Sequence, residues 1–452
     1  MGYRATKEHL IVTSMPRLTP IASALAAALA LASPMALAIQ TVTTCADSGI
    51  GSLRAAITNA AITGDTVTFN TATMSCSTIT LTTGALTVNA TSLTVAGPGA
   101  STLTIDANHA SRIFDHEGSG TLNISNLTVT NGFINSGKPN GGCIYSKGTV
   151  AISSSRLSGC VAQTEGTPPH AFGGGIFTTG DLYLQSSTIS NSSVRRQSRA
   201  EGAGGGAFVT GNLVMQSSTV TSSVATFGGA LQVKRNATIV GTTLSGNQAF
   251  AGDGLALYSS HDRVSIINST ISGNVAEVCA GMYSGGVFYG GPTYVAVTLS
   301  NSTIAFNKTH AANEVGHNYA SGLCAAGSLN IQSSIVANND IVVGTAHTPV
   351  DFSAQTGTSI AGGNNLIMVT QAGTTSPAGT LTADPLLAAL ANNGGSTMTH
   401  SLLIGSPAIG AGNNTSRLPS DQRGPGFARM TREKTDIGAF QTGDGIFASG
   451  FD

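Results

Sequence analysis

The 452-residue chain has no tryptophan, little charge and no CxxC pair, and each shortage closes a class of function. Asp, Glu, Lys and Arg make up 9% of it, where an ordinary domain carries about 25%. A formal net charge of −1 offers no surplus of cations for phosphate neutralisation, so nucleic acid is not an expected partner. Aromatics at 5% exclude a carbohydrate platform of stacked indoles, and no aromatic cleft is expected. Without CxxC spacing the six cysteines do not point to zinc or redox chemistry, and no metal site is expected. Disorder driven by charge is excluded as well, because 41% of the chain is hydrophobic.

What is present begins with an address. Arg4, Lys7 and Arg17 precede an uncharged Ala/Leu run at 21–32, and Ala36 and Ala38 place small residues where a signal peptidase reads. Residues 1–38 therefore read as an export signal. The run is shorter than the roughly 20 residues that span a bilayer. No second long apolar segment follows, so no transmembrane helix is expected in the mature chain. An even cysteine count in an exported protein predicts disulfides. Cys45 and Cys76 flank one N-terminal unit and are the first expected pair. Proximity along the chain suggests Cys143 with Cys160 and Cys279 with Cys324.

The most informative feature is a repeat. A Ser/Thr-rich run with an aliphatic centre recurs at Leu127, Leu157, Ile189, Val220, Leu244, Ile271, Ile304 and Ile335, at spacings of 24–33 residues. A Gly-rich start alternates with it, as GGCIY at Gly141, GGGIF at Gly173 and GGGAF at Gly204. Both are short, β-prone and too small to bury a face alone, and no helical pattern lies between them. That combination predicts an all-β parallel solenoid in which each repeat is one coil. Asn247, Asn274, Asn307 and Asn338 follow their centres by three residues, so stacked Asn turns are expected. The one helical pattern is 53–60, with Ser52 as N-cap, read as a cap over the first coil.

Cys45 and Gly51-Ser52-Leu53-Arg54-Ala55-Ala56-Ile57 resemble the CSLREA-type N-terminal motif of bacterial exported right-handed parallel β-helix proteins. Asp384-Pro385-Leu386-Leu387, Asn393-Gly394-Gly395-Ser396-Thr397, Gly405-Ser406-Pro407-Ala408-Ile409-Gly410, Asp421-Gln422-Arg423-Gly424 and Asp436-Ile437-Gly438-Ala439-Phe440 resemble the choice-of-anchor Q domain. The repeats are similar to those of polymorphic outer-membrane proteins. The end at 446–452 is similar to Gly-Phe-acid tails on exported proteins of Gram-negative bacteria. The resemblance implies a right-handed parallel β-helix of pectin-lyase-like fold and a location that is secreted or on the outer cell surface of a Gram-negative bacterium, with peripheral attachment. It implies no single chemistry. The expected organisation is a signal at 1–38, a cap and first coils at 39–100, repeats at 101–345, a C-terminal module at 346–441 and a tail at 442–452.

From each aliphatic centre to the next Gly start the gaps are 15, 18, 17, 9, 10, 10 and 18 residues. One turn is thus long in the first three coils and the seventh, which predicts a shallow groove between raised walls. The walls carry Arg195, Arg196 and Arg199, and His310, Glu314 and His317; the floor is read as Lys234, Arg235, Asp253, Asp262 and Arg263. Arg195, Arg196, Arg199, Lys234 and Arg235 are the expected ligand-binding set, suited to carboxylates or sulfates of an acidic glycan. Lys234, Arg263, His310 and His317 are the candidate bases should the chain be a polysaccharide lyase, a reading that would add Ca²⁺. No paired carboxylates suggest a glycosidase, and the spacing of His310 and His317 matches no metalloprotease motif. The preferred expectation is a non-catalytic, adhesin-like protein that binds a polysaccharide or surface glycan and needs no cofactor. Arg423 is expected to pair with Asp421 or Asp436 and fasten the C-terminal module.

Overall fold

The computed structural model describes residues 39–60, 64–137, 139–164, 170–196, 202–250, 255–257, 263–284, 295–310 and 320–443. The export signal read at 1–38 and the tail beyond Gly443 lie outside them.

One coil gives the pattern. Ile144–Ser146, Thr149–Ser153, Arg156–Ser158 and Val161–Thr164 are short strands joined by two-residue corners. None could hold a sheet alone, so each pairs in parallel register with its counterparts one coil before and after. Four stacks result, numbered here I to IV in chain order around a coil, with ten, twelve, eleven and nine strands among the described residues. At about 4.8 Å per rung, the eleven strands of sheet III run for roughly 50 Å. Inward residues stack like on like: Leu157, Ile189, Val220, Leu244, Ile271 and Ile304 form one fully buried column.

Two registers correct the sequence reading. The inward residue of the first marked coil is Val129, which pairs with Leu157, whereas Leu127 occupies the preceding corner. In the last marked coil it is Val336, opposite Ile304; Ile335 points outward, where the C-terminal segment buries it beside Leu366 and Ile437. A run of apolar residues such as Ile335-Val336-Ala337 carries no period-two signal to choose between them.

The two corners that flank sheet III each begin with a left-handed residue. From II to III these include Asn126, Ser154, Ser186, Asn268, Asn301 and Ser333, with φ between 46° and 54°. The residue after each one ties the rungs together. The N–H of Ser155 donates to Ser187 Oγ, that of Ser187 to Ser218 Oγ, and those of Ser269 and Ser302 to the next serine, all at 3.2 Å. From III to IV the expected asparagine ladder is present, shifted by one residue at its end. Asn247, Asn274, Asn307 and Asn339 each donate N–H and Nδ2–H to the next side chain, and the last donates to Asp351 Oδ1. Asn338 is instead the left-handed corner residue, with φ 59°.

Both ends are closed. Helix α1 (Leu53–Asn59) is capped by Ser52, whose hydroxyl accepts from the Ala55 N–H, and buries Leu53, Ala56 and Ile57 against the first strands. The last strands of sheets I to III are Phe352–Ala354, Ser359–Gly363 and Leu366–Ile367. Beyond them the chain runs back over the outer face of sheet III. Gln422 donates to Thr243 Oγ1 at 2.9 Å, Asn301 donates to Asn413 O at 3.1 Å, and the Ala439 N–H donates to Thr303 Oγ1 at 3.0 Å. Arg423 grips Asp421 through Nε and Nη2 and lies between the rings of Phe427 and Phe440, 4.0 and 3.9 Å away. All three expected disulfides are formed: Cys45–Cys76, Cys143–Cys160 and Cys279–Cys324. Among the described residues no helix is long and apolar enough to cross a membrane.

Candidate functional site

The structure separates the residues that the sequence placed in one groove. The unequal turns all run from sheet IV to sheet I. Arg195 lies exposed near the end of Ser193–Arg196 on sheet IV, and Arg196 closes that strand. Arg199, His317, Glu314, Asp253 and Asp262 lie outside the described residues, as does the side chain of Arg196. His310 ends Lys308–His310, also on sheet IV. Lys234 and Arg235, however, follow Leu231–Val233 on sheet I and turn toward sheet II, where Arg263 starts Arg263–Ile267. Sheet I therefore stands between the two groups. The error came from counting to the Gly start: the residues after it already belong to the next sheet and corner.

Where the turns are short, the groove does exist in reduced form. A shallow cavity of about 210 Å³ is lined by Gln248, Ala249, Phe250, Val275, Ala276, Glu277 and His310. Phe250 is half exposed there. Glu277 and Phe250 were not singled out from the sequence, because each occurs once and matches no repeat.

The larger surprise is aromatic. Register along sheet I places Asp115, Tyr145, Phe177, Phe208 and Gln232 in one outward column. In-register parallel strands set like side chains a rung apart, so the rings stack: Tyr145 on Phe177 at 5.5 Å and 5°, Phe177 on Phe208 at 5.6 Å and 15°. Phe172 tilts over Phe208 at 4.6 Å and carries His170 at 6.0 Å. Phe177 and Phe208 are buried beneath Ala203, Phe172 and Phe227, whereas Tyr145, Phe172 and Phe227 remain half-buried. Glycine makes this closeness feasible. A Cβ on Gly174 would stand 2.4 Å from Gly205 O, and one on Gly175 would stand 2.5 Å from Gly206 O. The rings form a packed column rather than a cleft, and the sequence reading did not single it out. The signal lay in the repeat itself, in the last residues of GGCIY, GGGIF and GGGAF.

A cation stands over each end of the stack. The Arg112 guanidinium is 5.2 Å from the Tyr145 ring centre and donates to Asn140 O at 3.0 Å and Asp115 Oδ2 at 3.3 Å. Lys234 Nζ is 5.5 Å from the Phe208 ring centre. Desolvation by the surrounding chain lowers the Lys234 pKa, although the residue as a whole is exposed. Two buried acceptors in the same column, Asp115 Oδ1 and Gln232 Oε1, have no hydrogen-bond partner among the described residues. Unmet buried acceptors are rare and call for a donor. Among the described residues no three His, Cys, Asp or Glu side chains come together as a metal cage.

The family described as "Right handed beta helix region" matches residues 112–304, the stretch that holds this column, and fixes the hand of the solenoid. Comparison with curated proteins gives no match. Among solved structures, "Crystal structure of pectate lyase Pel9A" superposes with a TM-score of 0.44 at 14% identity, covering 90% of this chain and 97% of that one.

Proposed function

We propose that this chain is an exported protein, secreted or held peripherally at the outer cell surface of a Gram-negative bacterium, that binds an acidic polysaccharide without cleaving it, in the manner of an adhesin. The observation that carries the reading is the ring column on sheet I with a cation over each end. Half-buried Tyr145, Phe172 and Phe227 leave part of each ring exposed to pack against the C–H side of a sugar, and Phe177 and Phe208 hold them in place. Arg112 and Lys234 suit carboxylate or sulfate groups at the two ends. Arg195 and Arg235 extend the positive surface on either side of sheet I. The non-catalytic reading is supported by sparse charge, 9% of the chain, and by the lack of a recognisable catalytic motif in the sequence.

A second reading, a polysaccharide lyase, is favoured by one observation, the depressed pKa of Lys234. Its amine would take the proton alpha to a uronate carboxylate. The electron pair then forms the new double bond as the glycosidic C–O bond breaks, and the departing oxygen gains a proton. Among the described residues no three His, Cys, Asp or Glu side chains come together, so no step is routed through Ca²⁺. The test titrates the chain with a panel of acidic polysaccharides, with and without Ca²⁺. Calorimetry reads binding, and ultraviolet absorbance reads the unsaturated product. Binding with flat absorbance supports the first reading. A rise in absorbance that Lys234→Ala abolishes replaces it with the second, and no binding to any member overturns both.

A further inference from the structure

The C-terminal segment meets the solenoid mostly through uncharged groups, Arg429 on Asn268 being a charged exception, and one of the uncharged groups is titratable. His400 lies on a small antiparallel hairpin closed by the pairs Leu387–Leu402 and Ala391–Thr399. Its side chain is buried, 3% exposed, between that hairpin and sheet III. Nδ1 is 2.7 Å from Ala388 O and Nε2 is 2.8 Å from Ser272 Oγ. A carbonyl only accepts, so Nδ1 carries the hydrogen, and the Ser272 hydroxyl donates to Nε2. Both nitrogens of a neutral ring are satisfied, and the ring packs on Phe306 at 5.0 Å.

A second proton has nowhere favourable to go. It would place a cation in a dry contact and force the Ser272 hydroxyl to reverse. The groups that hold the imidazole are Ser272 and Phe306 from the solenoid and Ala388 from the hairpin, and none is ionisable. Phe306 adds a further sign of constraint. It has φ 59° at the corner where neighbouring coils place Gly246, Gly273 and Asn338. A bulky side chain rarely takes that conformation unless packing holds it.

We propose that His400 is an acid-operated latch: one proton on Nε2 releases the 387–402 hairpin from sheet III and opens Ser272 to solvent. Burial lowers the His400 pKa below the usual histidine range, which is the same coupling seen from the proton's side. The docked state binds the proton less tightly than the released one, so docking is strongest above the ordinary histidine pKa and weakens as pH falls.

Hydrogen exchange on the full chain at about pH 7.5 and pH 5, corrected for intrinsic rates, tests the latch. Protection of 387–402 is expected to fall at least about ten-fold at the lower pH, with Arg263–Ile267 and Val295–Ser300 unchanged. His400→Gln is expected to remove the pH dependence. Should that variant fail to fold, the wild-type imidazole titration, read by NMR, must share one midpoint with hairpin release. Protection of 387–402 that is equal at both pH values overturns the proposal. So do distinct midpoints, or a Gln variant with the same pH-dependent loss. Protonation of His116, the other buried histidine among the described residues, would loosen residues around 114–116 and so leaves a separate trace.

Discussion

The first coils and the last coils share one geometry and use it differently. In both, parallel strands in register repeat a side chain every rung, so any outward or corner position becomes a column. From Tyr145 to Phe208 the outward column of sheet I is aromatic, the turns above it are long, and sheet III carries no overlying segment in the described contacts. From Asn247 onward the same column of sheet I reads Ala256, Tyr283, Cys324 and Ser353, and the investment has moved to the corner and the back. There the III-to-IV corner holds the asparagine ladder, and the returning C-terminal segment covers sheet III. At the equivalent corner position the early coils have Gly132, Cys160, Ser192 and Ser223. A solenoid can thus place its recognition surface on one stretch and its strongest buried polar network on another, because each coil depends mainly on its neighbours.

The sharpest way to break that contrast is at the corner. Asn307→Ala removes bonds to Asn339 Oδ1 at 2.8 Å and Ile271 O at 3.1 Å and strands the Asn274 donors. The expected cost is about 3–4 kcal/mol, as for several buried groups left unpaired. Ser192→Ala at the matching early position loses a single bond, to Ser190 O at 3.2 Å, and is expected to cost about 1 kcal/mol or less. Denaturant unfolding of the two variants checks this; equal losses would erase the distinction.

Acidity should separate the same two regions. His116 is fully buried, with Nδ1 2.7 Å from Ser146 Oγ and Nε2 3.2 Å from Thr91 O, and burial lowers its pKa. Its contribution to stability is present above the ordinary histidine value of 6.5 and is lost as pH falls. Asp351, at the end of the asparagine ladder, behaves in the opposite sense. Burial pushes its carboxyl up to about 6 from 3.8, so its contribution is present below 3.8 and is lost as pH rises through about 6. Hydrogen exchange between pH 4 and 7 should show protection around 114–116 growing with pH, and His116→Gln should flatten that trend. Protection around 339–351 should decline over the same window, and Asp351→Asn should flatten it. Parallel trends in the two regions would contradict the assignment.

A smaller effect is expected at Lys234. The residue as a whole is exposed, so Lys234→Ala should leave stability within about 0.5 kcal/mol of wild type. Affinity for an acidic polysaccharide should fall roughly three- to ten-fold at low salt and less at high salt. Calorimetry at two ionic strengths measures both, and a salt-independent loss would place the contact elsewhere.

The fold was legible because its signal repeats. Eight copies of one strand and seven of one Gly start leave little but a solenoid; proximity along that repeat led to two of the disulfides, and the compact N-terminal unit to Cys45–Cys76. Registers failed at Ile335, where an unbroken apolar run gives no alternation, and at Leu127, where Leu127 and Val129 both fit an alternating pattern. The serine ladder was visible in the paired serines of the repeat but was read there as β-propensity. The site was harder. Rare charged residues drew attention because they interrupt the pattern, yet the ring column is part of it, and aromatic content at 5% hid three rings that only register brings together. The C-terminal return over sheet III had no sequence signal of its own, since Gln422, His400 and Asn413 find partners more than 80 residues away or at that distance.

The most direct test of the recognition surface compares two tyrosines. Tyr145 belongs to the sheet I column, whereas Tyr183 is 43% exposed on sheet II, outside it. Binding of the acidic polysaccharide selected by the panel would be measured by calorimetry for Tyr145→Ala and Tyr183→Ala. Loss of one stacking ring and its cation contact predicts a fall of about ten-fold for Tyr145→Ala, with Tyr183→Ala unchanged. Equal affinity for wild type and Tyr145→Ala, or an equal loss in both variants, would contradict the assignment of binding to sheet I.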